Sequence, residues 1–301
     1  MASTLPRLLI AASASLLLAC ATTSAKSTHV DATAFSLSVA KAREHVTVVF
    51  EGLNELARED LLDHAAAQPT LNDNLFLQLL DTESRTTWDR SLLGLETYGL
   101  HLAALTSQGA SEAFRAEAIA LAEQVKKTGE SLQEAKLGST EIPSSAAGIA
   151  TALTKIGEWL IAARAQRSAE SAMQAADPNV AVLIAQLEGV IGTSNNDGLR
   201  GTAWSHWKQR KAEVIAEFVA APASERRPLV VRYANLMSKQ QAHDADLAGL
   251  SRSLRALAAG HHAMAEGREA SASALAQAIA AEVASAKKLH AVLENALGSN
   301  N

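Results

Sequence analysis

A seam of large side chains in the last third of the chain constrains its fold most strongly. From Leu229 to Met264 these residues recur in alternating steps of three and four, which is the spacing of a coiled-coil seam. At 1.5 Å per residue, a helix over this segment would be about 50 Å long. The pattern predicts one long helix whose partner helix comes from the same chain, a second copy or another protein. The seam residues are Leu229, Tyr233, Leu236, Gln240, His243, Leu247, Leu250, Leu254, Leu257, His261 and Met264.

The composition extends the helical prediction to the whole chain. Alanine makes up about a fifth of the 301 residues, whereas aromatic residues account for 4% and there are six prolines. Alanine is the best helix former but buries little apolar area, so it suits helices that pack closely side by side. No run of alternating β-branched residues indicates a strand. We therefore expect an all-α, alanine-rich fold, either an elongated antiparallel helical bundle or a coiled-coil-like rod.

Breaks in the apolar pattern divide the chain into segments. Apolar seams predict helices over about 34–67, 82–107 and 111–137, followed by a helix that ends or kinks at Asp177-Pro178. There an Asp N-cap with proline at the first helical position predicts the start of another helix. The glycine- and asparagine-rich stretch 192–198 is the strongest break. It predicts a boundary between an N-terminal helical bundle, 34–192, and a C-terminal long-helix or coiled-coil hairpin, 199–298.

The first twenty residues carry a different pattern. The basic residue Arg7 precedes an apolar stretch from Leu8 to Leu18, and Ala19 and Cys20 follow. A charged region, an apolar region and a small residue at the cut are typical of a secretory signal peptide. The apolar stretch is too short for a transmembrane helix, which takes about 20 apolar residues. The order Leu17-Leu18-Ala19-Cys20 resembles the lipobox of bacterial lipoproteins.

That resemblance implies a location and an anchor. Residues 1–19 would be removed as a lipoprotein signal peptide, and Cys20 would become an N-terminus carrying fatty acyl chains such as palmitate. Two or more acyl chains hold a protein stably on a membrane. Residues 20–33 would form a flexible tether, and Ala21 implies the outer membrane, with the protein facing the periplasm. The alternative is an ordinary signal peptide cut at another small residue, such as Ala12 or Ala25.

Charge and motifs argue against several classes of function. The net charge is −5 at pH 7 and no lysine or arginine run is present, which disfavours nucleic-acid binding because phosphate contacts need a basic surface. The chain has no Gly-x-Ser-x-Gly elbow, Walker loop, dinucleotide fingerprint or His-Glu-x-x-His motif. We therefore expect a protein that is not an enzyme, has no catalytic residues and uses no cofactor.

Four polar or aromatic residues are candidates for binding. His243 and His261 occupy seam positions that ordinarily take leucine, so they either fix the register of the helices or form a pH-responsive or metal-binding site. Trp204 and Trp207 lie three residues apart on one helical face. They either cap the core at one end of the bundle or dock on a partner or a membrane interface.

The sequence as a whole predicts an outer-membrane-anchored periplasmic lipoprotein that acts as a structural or protein-interaction module. Its expected contacts are the membrane, through the acyl chains on Cys20, and a protein partner or second copy, through the heptad seam. One alternative is a helical-bundle sensor or a ligand- or metal-binding lipoprotein that uses His243 and His261. Another is a helical membrane-perturbing protein, although the apolar runs beyond residue 20 stay short.

Overall fold

The computed structural model describes most of the chain after the leader. The predicted signal peptide, Cys20 and the tether up to residue 31 lie outside the described residues, so the lipobox stays a prediction. Most of the predicted helix 111–137 lies outside them as well. The described residues are 32–54, 58, 61–62, 65–66, 68–71, 82–106, 120, 122–127, 129–130, 143–166, 169–268 and 272–298.

Regular structure in these described ranges is entirely helical, with no β-strand, which confirms the predicted all-α bundle. A short 3-10 turn, Ala223–Glu225, joins the fifth and sixth helices. Among the helices of the described ranges, none has the length and apolar content needed to span a lipid bilayer. The main helices are α1 (32–54), α2 (Thr82–Thr106), α3 (Pro143–Gln166), α4 (Ala169–Ile191), α5 (Gly198–Ala220), α6 (Arg226–Ala265) and α7 (Ala272–Gly298).

The predicted heptad seam lies on α6, the 40-residue helix around which the bundle is built. All nine seam residues from Leu236 to Met264 are buried, whereas Leu229 and Tyr233 at the start of the seam are half-buried. The helices that cover the buried part come from the same chain, since α4, α5 and α7 all pack against α6. The partner that the sequence left open is therefore supplied within the chain from Leu236 onward.

The direction of α1 relative to α6 fixes the two ends of the bundle. The ring of Phe35 lies 5.4 Å from that of His261, and His45 Nδ1 lies 3.0 Å from Ser253 Oγ. Residue numbers rise along α1 as they fall along α6, so the two helices are antiparallel. The described chain thus begins beside the C-terminal end of α6. The α5–α6 turn at Arg226 lies at the opposite end, about 50 Å away at 1.5 Å per residue.

The described residues form two apolar clusters. The larger one has members on all seven helices, and the smaller one, between α5 and α6, consists of Trp207, Val214, Leu236 and Ala242. The larger cluster contains residues of the apolar faces of α2, such as Trp88 and Leu95, and of α3, such as Ile149 and Leu153. Leu187 on α4 and Leu254 on α6 belong to the same cluster. Burying a leucine or isoleucine side chain completely stabilises the fold by about 1.5–3 kcal/mol relative to leaving it exposed. Core residues therefore come from both sides of the boundary predicted at 192–198.

That predicted break is a tight turn between α4 and α5. Gly192 and Gly198 have φ angles of 91° and 59°, in the left-handed region that glycine adopts without strain. The carboxylate of Asp197 accepts hydrogen bonds from the backbone and hydroxyl groups of Thr193 and Ser194. These bonds, those from Ser194 first, hold the pKa of Asp197 well below its ordinary value. The turn is thus fixed by its own side chains.

The helix start predicted at Asp177-Pro178 is wrong. Helix α4 begins at Ala169 and continues through Pro178, which has no N–H to donate to the carbonyl of Gln174. The helix continues because its buried face does so on both sides of the proline, with Ala176 before it and Val180 after it. The Asp177 carboxylate, which was expected to cap a helix, instead contacts histidines of α6.

Candidate functional site

A buried hydrogen-bonded network centres on His261. Its Nδ1 lies 2.8 Å from Asp177 Oδ1, and its Nε2 lies 2.7 Å from the hydroxyl oxygen of Tyr98. A carboxylate only accepts, so Nδ1–H donates to Asp177, and in the neutral ring Nε2 accepts the Tyr98 O–H. His261 and Tyr98 are both fully buried. The network joins α2, α4 and α6 at the end of the bundle where the described chain begins.

The charges around Asp177 support this arrangement. Hydrogen bonds from His261, and then from His262 at 2.7 Å, lower the pKa of the Asp177 carboxyl. The Asp177 carboxylate in turn raises the pKa of His262. Burial raises the pKa of Tyr98 well above its ordinary value, so its hydroxyl stays protonated and can donate. Near neutral pH the network therefore holds an ionised Asp177 and a neutral Tyr98.

His261 is a poor metal ligand in this conformation because both of its ring nitrogens contact groups of the same chain. His243 lies 18 residues earlier on α6, about 27 Å away along the helix, so the two candidates do not converge. Within the part of the chain that the structure describes, no group of three or more His, Cys, Asp or Glu residues is placed to hold a metal ion.

Trp207 and His243 form a second buried contact, between α5 and α6. The indole Nε1–H of Trp207 donates to Nδ1 of His243 over 2.9 Å, and the ring centroids are 5.0 Å apart. Trp207 is fully buried, so it is not the surface anchor that one interpretation of the tryptophan pair required. Trp204 is half-buried. The structure thus places Trp207 and His243 together, in a buried hydrogen-bonded contact between the antiparallel helices α5 and α6.

A third polar cluster, which the sequence pattern did not reveal, lies between α1, α6 and α7. His45 contacts Ser253 across 208 residues of sequence, and His290 Nε2 lies 2.5 Å from Asp246 Oδ2. Asp246 is almost completely buried, so this histidine supplies its partner. Pairing of a buried carboxylate matters because an unpaired one costs several kcal/mol, on the order of 3–5. The cluster fixes the register of the three helices.

Among the described residues, an accessible candidate for binding lies at the α5–α6 end of the bundle. The exposed fractions of Ile215, Val219 and Val230 are 49%, 71% and 54%, which is high for aliphatic side chains. A groove of about 270 Å³, here named the hairpin groove, opens there between the antiparallel helices α5 and α6. The heptad pattern did not single out this end, because Leu229 and Tyr233 belong to the same seam as the buried residues that follow, although Val230 and Val231 beside them were a visible signal. The groove is lined by Val214, Ile215, Phe218, Leu229, Val230 and Tyr233.

A second groove, of about 310 Å³, lies between α1 and α2. Its lining includes two basic and two acidic residues, and of these Arg43 is paired with Asp89 at 2.7 Å and with Glu96 at 2.6 Å. The charges of this groove are therefore largely balanced within the chain, and the hairpin groove is the stronger candidate for a docking site.

Comparison with known proteins gives no match: no family model, no curated protein and no solved structure matches this chain. Function is therefore inferred from the chemistry of the leader and the geometry of the bundle.

Proposed function

We propose that this chain is an outer-membrane-anchored periplasmic lipoprotein that acts as a protein-interaction module. The leader with Cys20 supports the anchor, since its residues resemble a lipobox. One observation supports the role as an interaction module. The described chain begins beside His261, whereas the exposed apolar surface around Val230 lies at the other end of α6. A membrane anchor on one end would leave the other end accessible to a partner.

The buried polar contacts suit such a role. Tyr98 bonds His261 near one end of the bundle, and Trp207 bonds His243 toward the other. Directional bonds of this kind fix the register of packed helices, which apolar contacts alone specify poorly. A rigid bundle would hold its exposed end at a fixed distance from its tether. Residues 32 and 33 of the predicted tether 20–33 belong to α1. The remaining residues 20–31 could extend about 40 Å at most.

The covered seam restricts where a partner could bind. Because Leu236 to Met264 is buried within the chain, a partner or second copy would meet the half-buried start of the seam, around Leu229 and Tyr233. The protein partner expected from the seam is therefore assigned to the α5–α6 end.

The anchor is tested by labelling with an alkyne fatty acid in a double-membraned bacterium. Wild-type protein should be labelled and sediment with the outer membrane, whereas Cys20→Ala should be unlabelled and lose that association. Ser24→Ala, a comparably small change near the expected cut, is the matched control and should behave as wild type. Labelling that persists in Cys20→Ala, or its absence from wild type, would refute the anchor.

A further inference from the structure

One side of the α5–α6 end carries only apolar and basic side chains. We call it the hairpin face. Helical spacing groups its residues around Ile215 on α5 and Val230 on α6, both of which line the groove. Glu213 and Glu217 lie two residues before and after Ile215, on the opposite side of α5. The hairpin face consists of Lys208, Lys211, Ala212, Ile215 and Val219 on α5 and Arg226, Arg227, Val230, Ala234 and Met237 on α6.

The charge of this region is opposite to that of the whole chain. Residues 208–239 contain seven basic and three acidic residues, although the chain has a net charge of −5. On α6 the first acidic residue is Asp244, and it is paired with Arg200 at 2.7 Å. Glu217 pairs with Arg232 at 2.9 Å on the other side of the hairpin. The hairpin face is therefore complementary to an acidic binding partner.

Two of its cations are held in place by the hairpin itself. Arg226 donates to the carbonyl of Ala221 over 3.0 Å and lies over the ring of Phe218, while Lys211 donates to Gln240 over 2.5 Å. Lys208 and Arg227 are exposed. Cations thus border the apolar groove on both of its helices.

The groove also continues an interface that the chain already builds. Along α6, the seam from Leu236 onward is buried by helices of the same chain. The same seam continues through Tyr233 to Leu229, which pack against the α5–α6 cluster but stay half-buried and line the groove. A groove between two antiparallel helices accepts the apolar ridge of a third helix. Such a helix would lengthen the bundle by the packing used elsewhere in it.

We propose that the hairpin face binds an amphipathic helix with an acidic polar side, supplied by a partner protein. The apolar residues of that helix would enter the groove over Phe218 and Tyr233. Its carboxylates would meet Lys208 and Lys211 along α5 and Arg226 and Arg227 along α6. This inference rests on the proposed role as an interaction module and names the chemistry of the partner.

Synthetic helical peptides of about 20 residues test the proposal. One has a leucine face and a glutamate polar side, and the other has the same leucine face with lysine in place of glutamate. Binding is measured by fluorescence anisotropy on the full chain carrying Cys20→Ala, so that acyl chains play no part. We expect the glutamate peptide to bind at least about tenfold more tightly than the lysine peptide.

Variants of the chain locate the binding site. Val230→Asp should abolish binding of the glutamate peptide, and Arg227→Glu should weaken it, with helical content by circular dichroism unchanged. Val182→Asp is the matched control, because Val182 on α4 is similarly exposed, at 46%, and lies outside the hairpin face. It should leave the affinity unchanged.

Several results would overturn the proposal. These are equal binding of both peptides, no binding of either, or binding that Val230→Asp leaves intact. In another such result, the protein binds vesicles of phosphatidylethanolamine and phosphatidylglycerol and not the peptide. If Val230→Asp abolished that binding, the hairpin face would be a site for a lipid surface. A dimer by light scattering that Val230→Asp dissociates would show that a second copy covers it. The assay uses unacylated protein, so failure of fatty-acid labelling would refute the membrane anchor without affecting this result.

Discussion

The hydroxyl oxygen of Tyr98 lies 2.7 Å from Nε2 of His261, although 163 residues separate them in the sequence. Both side chains are fully buried, and the other ring nitrogen of His261 contacts Asp177. This contact ties α2 to α6 at the end of the bundle nearest the predicted tether. His261, at a seam position that ordinarily takes leucine, therefore makes a specific hydrogen bond between two helices.

Tyr98→Phe should destabilise the fold by about 1–3 kcal/mol, because it leaves a buried nitrogen of His261 without its partner. The free energy of unfolding in urea measures the loss. The chain has two tyrosines. Tyr233, the other one, is half-buried in the hairpin groove, so Tyr233→Phe is the matched control and should change stability by less than about 0.5 kcal/mol. Equal effects of the two variants would show that the Tyr98 hydroxyl adds no stability.

His45 should make the fold less stable in mild acid. Burial lowers its pKa below the ordinary value of 6.5, against the opposing charges of Glu282 and Asp246 and with a smaller lowering by Arg252. Below about pH 6.5 the unfolded chain therefore takes up a proton that the folded chain does not, and the free energy of unfolding falls as the pH falls. His45→Gln cannot titrate, so it should lose less stability than wild type between about pH 7.5 and 5.5 in urea titrations.

His262 provides a control of opposite sign. Its pKa is raised, chiefly by the hydrogen bond to Asp177, so the stability that it adds is present below about pH 6.5 and is lost as the pH rises through the folded-state pKa. His262→Gln should therefore steepen the loss of stability on acidification, whereas His45→Gln should reduce it. The assignment of His45 would be wrong if both variants followed the wild-type pH profile.

Two glycines in helices should respond oppositely to alanine. A methyl group at Gly52 on α1 would overlap the imidazole ring of His290 and displace it from Asp246, so we expect a net loss of about 1–3 kcal/mol. At Gly189 on α4 nothing lies within 4 Å of the added carbon. Gly189→Ala should therefore stabilise the fold by up to about 1 kcal/mol, the ordinary preference of a helix for alanine. Thermal and urea unfolding of both variants measure the difference, and a stabilising Gly52→Ala would contradict the tight packing at His290.

Helical spacing predicted the fold well because burial follows the period of the helix. The seam from Leu236 to Met264 and the apolar faces of α2 and α3 are buried as the spacing of their residues predicted. Local signals failed where contacts between helices compete with them. Asp177 has the sequence context of an N-cap, but its carboxylate contacts His261 and His262 of α6, and α4 continues past it.

The candidate site was harder to predict. The pairs His45–Ser253 and Asp246–His290 join residues that are 208 and 44 positions apart in the sequence. The spacing of residues within one helix does not predict contacts of that kind. Exposure at Val230 depends on how far the neighbouring helices extend along α6, which is set by the packing of the whole bundle. A heptad seam shows which side of a helix is apolar but not how much of that side the chain itself covers.

Site-specific photo-crosslinking in intact cells tests the account most directly. A photoreactive residue at position 230 samples the hairpin face, and one at position 182, on the similarly exposed Val182 of α4, is the comparison. We expect one dominant protein adduct from position 230, absent from position 182 and reduced in yield when Arg227→Glu is added. Only self-adducts or lipid adducts from position 230, or the same adducts from both positions, would contradict a tethered bundle that binds a partner through its far end.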